Sequence, residues 1–139
     1  MPNPKGDHVN NVAVIGLVFV GGAAGSVLRW LVGAAVGRWS KAGPPLGTLL
    51  INVSGAFLMG FLSTLFEVDW HDRYGSALTA LVLTGLLGGY TTFSSYQLDA
   101  VTLFGKRQRF VAVAYWAGSV ALGLGAAVLG YATARWIGG

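Results

Sequence analysis

Long apolar stretches alternate with short polar clusters along the chain. Four stretches are about 20 residues or longer, the length that a helix rising 1.5 Å per residue needs to cross about 30 Å of hydrocarbon. They predict membrane spans at residues 11–37, 46–66, 74–104 and 110–137. Residues 1–10 are polar and contain two prolines, which predicts a flexible tail. The pattern therefore predicts an all-α membrane protein that forms a single transmembrane domain, 1–139.

The third stretch would make a poor continuous helix. Its segment GLLGGYTTFSSYQLD, residues 85–99, places three glycines before a run of threonines and serines. Irregular backbone at membrane depth persists only where protein or a water-filled cavity covers it. A break here would leave the carbonyls of Gly88 and Thr91 without helical donors, and such carbonyls suit a hard cation. A purely structural kink would account for the glycines but less readily for the hydroxyl and aromatic residues beside them.

Composition supports the membrane assignment and excludes several kinds of site. Charged residues make up 10% of the chain, against about a quarter in soluble domains. The absence of cysteine excludes disulfides, thiolate metal sites and cysteine nucleophiles. His8 and His71 have no acid–base partner at depth and no nucleophile–base–acid set is present, so we do not expect an enzyme. The first stretch is too long for the apolar core of a signal peptide, and further spans follow it.

The charge distribution and the small residues indicate how the helices insert and associate. The net charge of +4 comes from basic residues dispersed at the span ends, which suits lipid headgroups rather than nucleic acid. Their split between the two sides is a weak bias that also allows insertion in both orientations. Small residues recur at four-residue spacing in every span, which favours close packing and self-association. Since four helices enclose little interior, a dimer is the natural way to build a conduit. The spaced pairs are Gly21 and Gly25, Gly33 and Gly37, Ala56 and Gly60, Gly85 and Gly89, and Ser119 and Gly123.

Arg29 and Asn52 are polar residues inside predicted spans, where a polar side chain is costly unless it has a partner. Arg29 could snorkel to the nearby interface. Its guanidinium could also hold a neighbouring loop or lend positive potential to a vestibule for anions, which is compatible with snorkelling. Asn52 could form an interhelical hydrogen bond, or its amide could donate to a dehydrated anion in a pore. The sequence leaves these pairs of alternatives open.

Phe93 and Tyr96 lie three positions apart and flank Ser94 and Ser95. Aromatic residues at this spacing often simply pack together. Ring edges also carry positive charge, so they can meet an anion in a dry passage.

The fourth span offers a second polar feature. Tyr115 and Ser119 lie one turn apart and could extend a polar track along the same route. Asp99, near the end of the third span, is the only acid within the predicted spans.

Three segments together resemble the Fluc fluoride channel family, also called the CrcB family. They are GGAAGSVLRW at 21–30, PLGTLLINVSGAFLMG at 45–60 and GLLGGYTTFSSY at 85–96, in the family's order and spacing. The resemblance implies a passive channel in a bacterial cell membrane that lets cytoplasmic fluoride leave the cell and so lowers its toxicity. It implies an antiparallel, dual-topology dimer of four-helix subunits with two pores at the subunit interface.

The same resemblance assigns roles to individual residues. It implies a structural sodium ion, not transported, at the dimer centre on the carbonyls of Gly88 and Thr91. The other assigned roles are pore lining by Asn52 and Phe93, hydroxyl donation by Ser94 and Ser95, a polar track at Tyr115 and Ser119, and the first-motif arginine at Arg29.

The chain departs from the family pattern at several of these positions. Tyr96 stands where the family usually has phenylalanine, which would add a hydroxyl dipole and donor to the pore wall. Asp99 stands where glutamate is usual, and Gly123 and Ala127 replace hydroxyl residues of the track. Because some family members pair non-identical subunits, the partner is either a second copy of this chain or a sister subunit.

Two other functions are compatible with four apolar spans. A small multidrug transporter is also a four-span dimer, but proton-coupled cation export needs an embedded acid, and the first span has Arg29 and no acid. A packing or assembly subunit would explain the spaced glycines. It would predict no polar lining at Asn52, Ser94 and Tyr115.

Overall fold

A computed structural model describes residues 11–39, 45–66 and 77–138, and these residues are helical apart from short connections. The predicted tail at 1–10, the connections at 40–44 and 67–73 and the start of the predicted third span lie outside the described residues. His8 and His71 lie outside them as well.

Three helices in the described part of the chain are long and apolar enough to cross a membrane. They are α1 (Asn11–Trp39), α2 (Leu46–Leu65) and α6 (Arg109–Gly138). Their 29, 20 and 30 residues correspond to lengths of about 30 to 45 Å at 1.5 Å per residue. The prediction of an all-helical membrane protein is confirmed.

The third stretch is divided among three shorter elements. They are α3 (Thr79–Leu87), α4 (Gly88–Tyr90) and α5 (Phe93–Gly105). The α3 backbone is π-helical, with a wider turn than an α-helix, and it runs directly into α4 because Leu87 and Gly88 keep helical dihedrals. The helix then ends, and Thr91 and Thr92 have extended dihedrals before α5 begins.

Glycines bring the helices into backbone contact. A Cβ on Gly25 of α1 would collide with the carbonyl of Leu86 in α3, so α1 lies directly against the third stretch. A Cβ on Gly60 of α2 would collide in the same way with the carbonyl of Ala127 in α6. Helices in lipid associate through such close approaches, because burial of apolar surface gives them no net attraction there.

A tight turn joins α5 to α6 and packs them side by side. Arg107 has a left-handed φ of 59°, its N–H donates to Phe104, and the N–H of Gln108 donates to Leu103. This is a Schellman ending with arginine where glycine is usual. Beyond the turn, a cluster of buried residues fills the space between the two helices. Its members are Tyr96, Ala100, Leu103, Ala112 and Tyr115.

Large apolar side chains cover the outer surface. Phe19 and Phe110 are each more than 70% exposed, and most of the long helices carry similar exposed residues. In water such a surface would cause aggregation. On a multi-pass membrane protein it is the surface that meets lipid or a partner chain.

Candidate functional site

The site forms where the third stretch leaves the helical conformation. Thr91 has φ −77° and ψ 156°, and Thr92 has φ −149° and ψ 120°. The Thr91 N–H and hydroxyl both donate to the Leu87 carbonyl, at 3.0 and 2.9 Å, which completes the last turn before the break. The Thr92 hydroxyl accepts the Ser95 N–H at 3.3 Å and so caps the start of α5. The chain therefore stops one helix and starts the next within two residues.

Asn52 of α2 pairs with the backbone of this break. Its amide nitrogen donates to the Thr92 carbonyl at 2.9 Å, and its amide oxygen accepts the Thr92 N–H at 2.9 Å. The geometry resembles one rung of a β-ladder, in which both polar groups of one residue are satisfied by one partner. These two hydrogen bonds join α2 to the extended backbone between two helices, and they leave one of the two amide N–H groups for another acceptor.

Two neighbours of Asn52 also contact the break. The hydroxyls of Ser54 and Tyr90 lie 2.9 Å apart in a hydrogen bond. Gly55 faces the methyl group of Thr91 so closely that a Cβ at position 55 would collide with it.

Arg29 approaches the break from α1. Its guanidinium Nη1 lies 3.5 Å from the Thr91 carbonyl oxygen, a long contact, and the side chain is half-buried. This contact is of the kind expected for a guanidinium that holds a neighbouring segment, and the role of Arg29 stays a prediction. Arg29 also lines a cavity of about 660 Å³ between α1, α2 and the start of α5.

That cavity gathers polar groups from α1, from α2 and from the segment at the start of α5. Besides Arg29, it is lined by Ser26, Thr48, Thr92, Ser94 and Ser95. The Thr92 hydroxyl lies 3.3 Å from the Ser94 hydroxyl and donates to the Ser95 hydroxyl at 3.1 Å. A cavity with one cation and several hydroxyls can hold water or a small anion, because it offers donors and positive charge.

The predicted cation ligands lie at the edge of the same break. Gly88 is exposed and Thr91 is half-buried in the single chain. In a continuous helix the Thr92 N–H would donate to the Gly88 carbonyl, but here it donates to Asn52. The Gly88 carbonyl is therefore released from that bond, whereas the Thr91 carbonyl accepts the long contact from Arg29.

The two aromatic residues after the break have opposite environments. Phe93 is 72% exposed, whereas Tyr96 is 5% exposed, and their ring centres lie 5.9 Å apart. The Tyr96 hydroxyl is directed to α6, where it donates to the Trp116 carbonyl at 2.8 Å. In the single chain, Phe93 faces outward while Tyr96 belongs to the α5–α6 core.

Tyr115 continues the row of aromatic rings. Its ring centre lies 5.8 Å from that of Tyr96, and its hydroxyl donates to a carboxylate oxygen of Asp99 at 3.4 Å. The Ser119 hydroxyl donates to the Tyr115 carbonyl at 2.6 Å, one turn back in α6. Tyr115 is buried and Ser119 half-buried. In the single chain, the hydroxyls of both residues are hydrogen-bonded within the protein.

The residues of this site that the sequence did not predict include Thr92, Ser54, Tyr90 and Trp116. For Thr92 a signal was present, because Thr92 followed three residues later by Ser95 fits a helix cap. The other three act through partners 20 to 36 positions away, and no local pattern marks such pairs.

Comparison with known proteins identifies the family. The model of the family described as CrcB-like protein, Camphor Resistance (CrcB), matches residues 16–131. A fluoride-specific ion channel FluC 2 of Yersinia pseudotuberculosis is 57% identical over 113 residues, which are 81% of this chain and 90% of that relative. A FluC 2 of Brucella abortus is 60% identical over 113 residues, covering 81% and 88%. A FluC of Nitrobacter winogradskyi is 42% identical over 118 residues, covering 85% and 92%.

The match spans the broken third stretch, all of α2 and most of α1 and α6, and the identity extends over most of each relative's length. The chain therefore belongs to the CrcB family, as its three sequence motifs predicted.

Proposed function

We propose that this chain is a subunit of a fluoride-specific ion channel that lets fluoride leave the cell passively. The observation that carries the proposal is the 57–60% identity, over 81% of the chain, to proteins named as fluoride-specific ion channels. Those relatives are channels, so the expectation that the chain is not an enzyme is confirmed.

The chemistry of the break supports fluoride as the permeant ion. Fluoride holds its hydration water tightly, so a pore must replace that water with donors that are already in position. The cavity beside the break offers Arg29 and several hydroxyls. In the described part of the chain, Asp99 is the only carboxylate, and Tyr115 donates to it. An anion near the break therefore meets donors before it meets negative charge.

We propose that the ion route runs past the exposed side of the break and along α5. Asn52, Ser94 and Ser95 would supply donors at the break, and the edge of the Phe93 ring would line the next step. Tyr96, Tyr115 and Ser119 would complete the route toward the far side. Phe93 supports this path because its ring is 72% exposed at the point where hydroxyl groups are concentrated.

A partner chain completes the proposed channel. In the single chain, the Phe93 ring and Gly88 face outward, so one subunit does not enclose the route. A second copy in the antiparallel orientation would cover this face and give two equivalent routes. A sister subunit of the same family would do so with unequal ones.

The carbonyl oxygens at the break are ligands of a type that can bind a sodium ion. Peptide carbonyl oxygens are suitable ligands for a hard cation, and the Gly88 carbonyl lacks its usual helical donor. A carbonyl oxygen has two lone pairs, so the contact of Arg29 with Thr91 leaves one for a cation. We propose that Gly88 and Thr91 of two subunits hold one structural sodium. Bound there, the ion would supply positive charge that joins the subunits.

The sodium proposal has a test that does not involve transport. Purified dimers would be heated in sodium, potassium or choline chloride at equal ionic strength, and the dimer fraction would be measured by size-exclusion chromatography. We expect a higher melting temperature in sodium alone. Equal melting in all three salts would remove sodium from the proposal.

Efflux from liposomes tests the function itself. The chain alone would be reconstituted into vesicles loaded with fluoride or chloride, and release would be followed with an ion electrode. We expect rapid release of fluoride and retention of chloride. Release only after co-reconstitution with a sister chain would assign the pores to a heterodimer. Absence of release from folded dimers of either composition would refute the proposal.

A further inference from the structure

Three positions on one turn of α2 contact the three consecutive residues at which the third stretch changes conformation. Asn52 contacts Thr92, Ser54 contacts Tyr90, and Gly55 lies against the methyl group of Thr91. The contacts join residues 36 to 40 positions apart, so they hold two separate segments in register.

The two hydrogen bonds of Asn52 help to determine the backbone conformation of the break. In hydrocarbon an unsatisfied backbone N–H or carbonyl costs several kcal/mol, so the Thr92 groups must find partners. Within a helix, the Thr92 N–H would bind the Gly88 carbonyl. Asn52 instead accepts that N–H and also donates to the carbonyl of the same residue, both at 2.9 Å. The side chain therefore stabilises the extended conformation at the expense of the helical one.

Ser54 and Gly55 fix the residues on the other side of the break. The Ser54–Tyr90 hydrogen bond holds the last residue of α4 against α2 at 2.9 Å. Gly55 provides the space that the Thr91 methyl group occupies, and no larger residue leaves that space open. Each residue from Tyr90 to Thr92 thus has its own contact on α2.

We infer that the α2 turn from Asn52 to Gly55 is a template that sets the extended backbone at Thr91 and Thr92. Through that backbone it positions the Gly88 and Thr91 carbonyls and the first residues of α5. These α2 residues are positioning residues for the break. The consequence for ion flux rests on the proposed function, whereas the consequence for the backbone does not.

A clash and its relief provide the sharpest test. Gly55→Ala adds one methyl group against the Thr91 methyl group and changes no polar residue. Thr91→Ser removes that methyl group and keeps the hydroxyl that donates to Leu87. The double variant should therefore restore the backbone conformation that Gly55→Ala disturbs at Thr91 and Thr92. Neither residue offers a side-chain donor to the proposed ion route.

Two measurements would be made on Gly55→Ala, Thr91→Ser and the double variant in lipid nanodiscs and liposomes. For Gly55→Ala we expect amide exchange in the 91–95 segment to become about tenfold faster, and fluoride efflux to fall about tenfold. Thr91→Ser alone is the reference for the double variant in both measurements, and its amide exchange should match that of the parent chain. The double variant should return to within about threefold of Thr91→Ser in both, since the steric cause is gone.

Asn52→Ala is the second variant, because it removes both hydrogen bonds without adding bulk. It should raise exchange of the 91–95 segment by about tenfold or more. Ser63→Ala on the same helix is the matched control, since the Ser63 hydroxyl donates to the Gly60 carbonyl of its own helix. That control should leave exchange in the segment unchanged.

The outcomes separate the template from the proposed function. Unchanged exchange in both Gly55→Ala and Asn52→Ala, or failure of Thr91→Ser to restore Gly55→Ala, would overturn the template. Faster exchange, with restoration in the double variant, supports the template even if the parent chain releases no fluoride. In that case the proposed channel fails and the template stands.

Discussion

Tyr96→Phe removes the hydroxyl group at a position where the family resemblance led us to expect phenylalanine. The hydroxyl donates to the Trp116 carbonyl at 2.8 Å, while the ring packs at a tilt against the rings of Phe93 and Tyr115. Phenylalanine keeps the ring, and Trp116 lies inside α6, where its carbonyl retains a helical donor. The substitution therefore removes one hydrogen bond without leaving a buried group unsatisfied. Interhelical hydrogen bonds in membranes average about 0.6 kcal/mol, and buried ones in general about 1 kcal/mol.

We accordingly expect Tyr96→Phe to lower the free energy of unfolding by about 0.6 to 1 kcal/mol, a three- to fivefold change in the equilibrium constant. Fluoride efflux should stay within about twofold of the parent chain, because the Tyr96 hydroxyl is already bonded to α6 and phenylalanine keeps the ring that would line the route. Stability would be measured by reversible unfolding in dodecyl sulfate, followed by tryptophan fluorescence, and flux in liposomes.

Tyr131→Phe serves as the control for Tyr96→Phe, since Tyr131 is 54% exposed on α6 and should change neither quantity. A tenfold rise in flux with unchanged stability would refute the reasoning. It would mean that the Tyr96 hydroxyl faces the ion in the assembled channel.

Three further substitutions test other parts of the site and fold. In Asn52→Asp, the carboxylate cannot donate to the Thr92 carbonyl and adds a negative charge. Fluoride efflux should therefore fall by about a hundredfold or more, while size-exclusion chromatography still shows dimers. Unchanged efflux would remove Asn52 from the route. Phe93→Ile should reduce efflux by about tenfold if the ring edge meets the ion, whereas equal efflux would make Phe93 a packing residue. Arg107→Gly should stabilise the chain by about 1 kcal/mol in thermal unfolding by relieving a left-handed φ of 59°. Arg107→Ala loses the same charge but should not stabilise the chain. Equal stability of the two variants would contradict the interpretation that the backbone at Arg107 is strained.

The all-helical architecture and the family were predictable from the sequence for distinct reasons. Long apolar stretches have few structural solutions in a membrane, because every backbone polar group must be bonded within the protein. The family motifs at 21–30, 45–60 and 85–96 are specific because three of them occur in order. Neither source of information requires knowledge of which helix faces touch.

The contacts between helices were not predictable in the same way. α1 and α6 are apolar all round, so periodicity does not mark the face of either helix that packs. The sequence marked Gly60 as a packing residue but gave no sign that it meets Ala127. Likewise, the sequence left two interpretations of Asn52 open. Its pairing with Thr92 depends on bringing together residues that are 40 positions apart.

The local sequence pattern also did not predict which of the aromatic side chains is exposed and which is buried. Phe93 and Tyr96 lie three positions apart, which suggests a shared face, yet one is exposed and the other buried. The difference arises because the Thr92 cap starts α5 directly at Phe93, so its ring lies at the first turn, while Tyr96 lies one turn further along against α6. The π-helical backbone of α3 has no sequence signal that we recognise.

Two groups of glycines in the described part of the chain differ in how readily they could be replaced. Gly25 and Gly60 meet a neighbouring backbone within the same chain, so any side chain there separates two helices. Gly118, Gly123 and Gly125 of α6 have no atom within 4 Å of a Cβ built on them, apart from their own helix. A single chain has no reason to retain glycine at those positions. These positions could be tested by saturation mutagenesis with growth under fluoride stress as the selection. If a glycine in this group cannot be substituted, we would infer that a second subunit contacts it. The set of such positions would then map the subunit interface on α6.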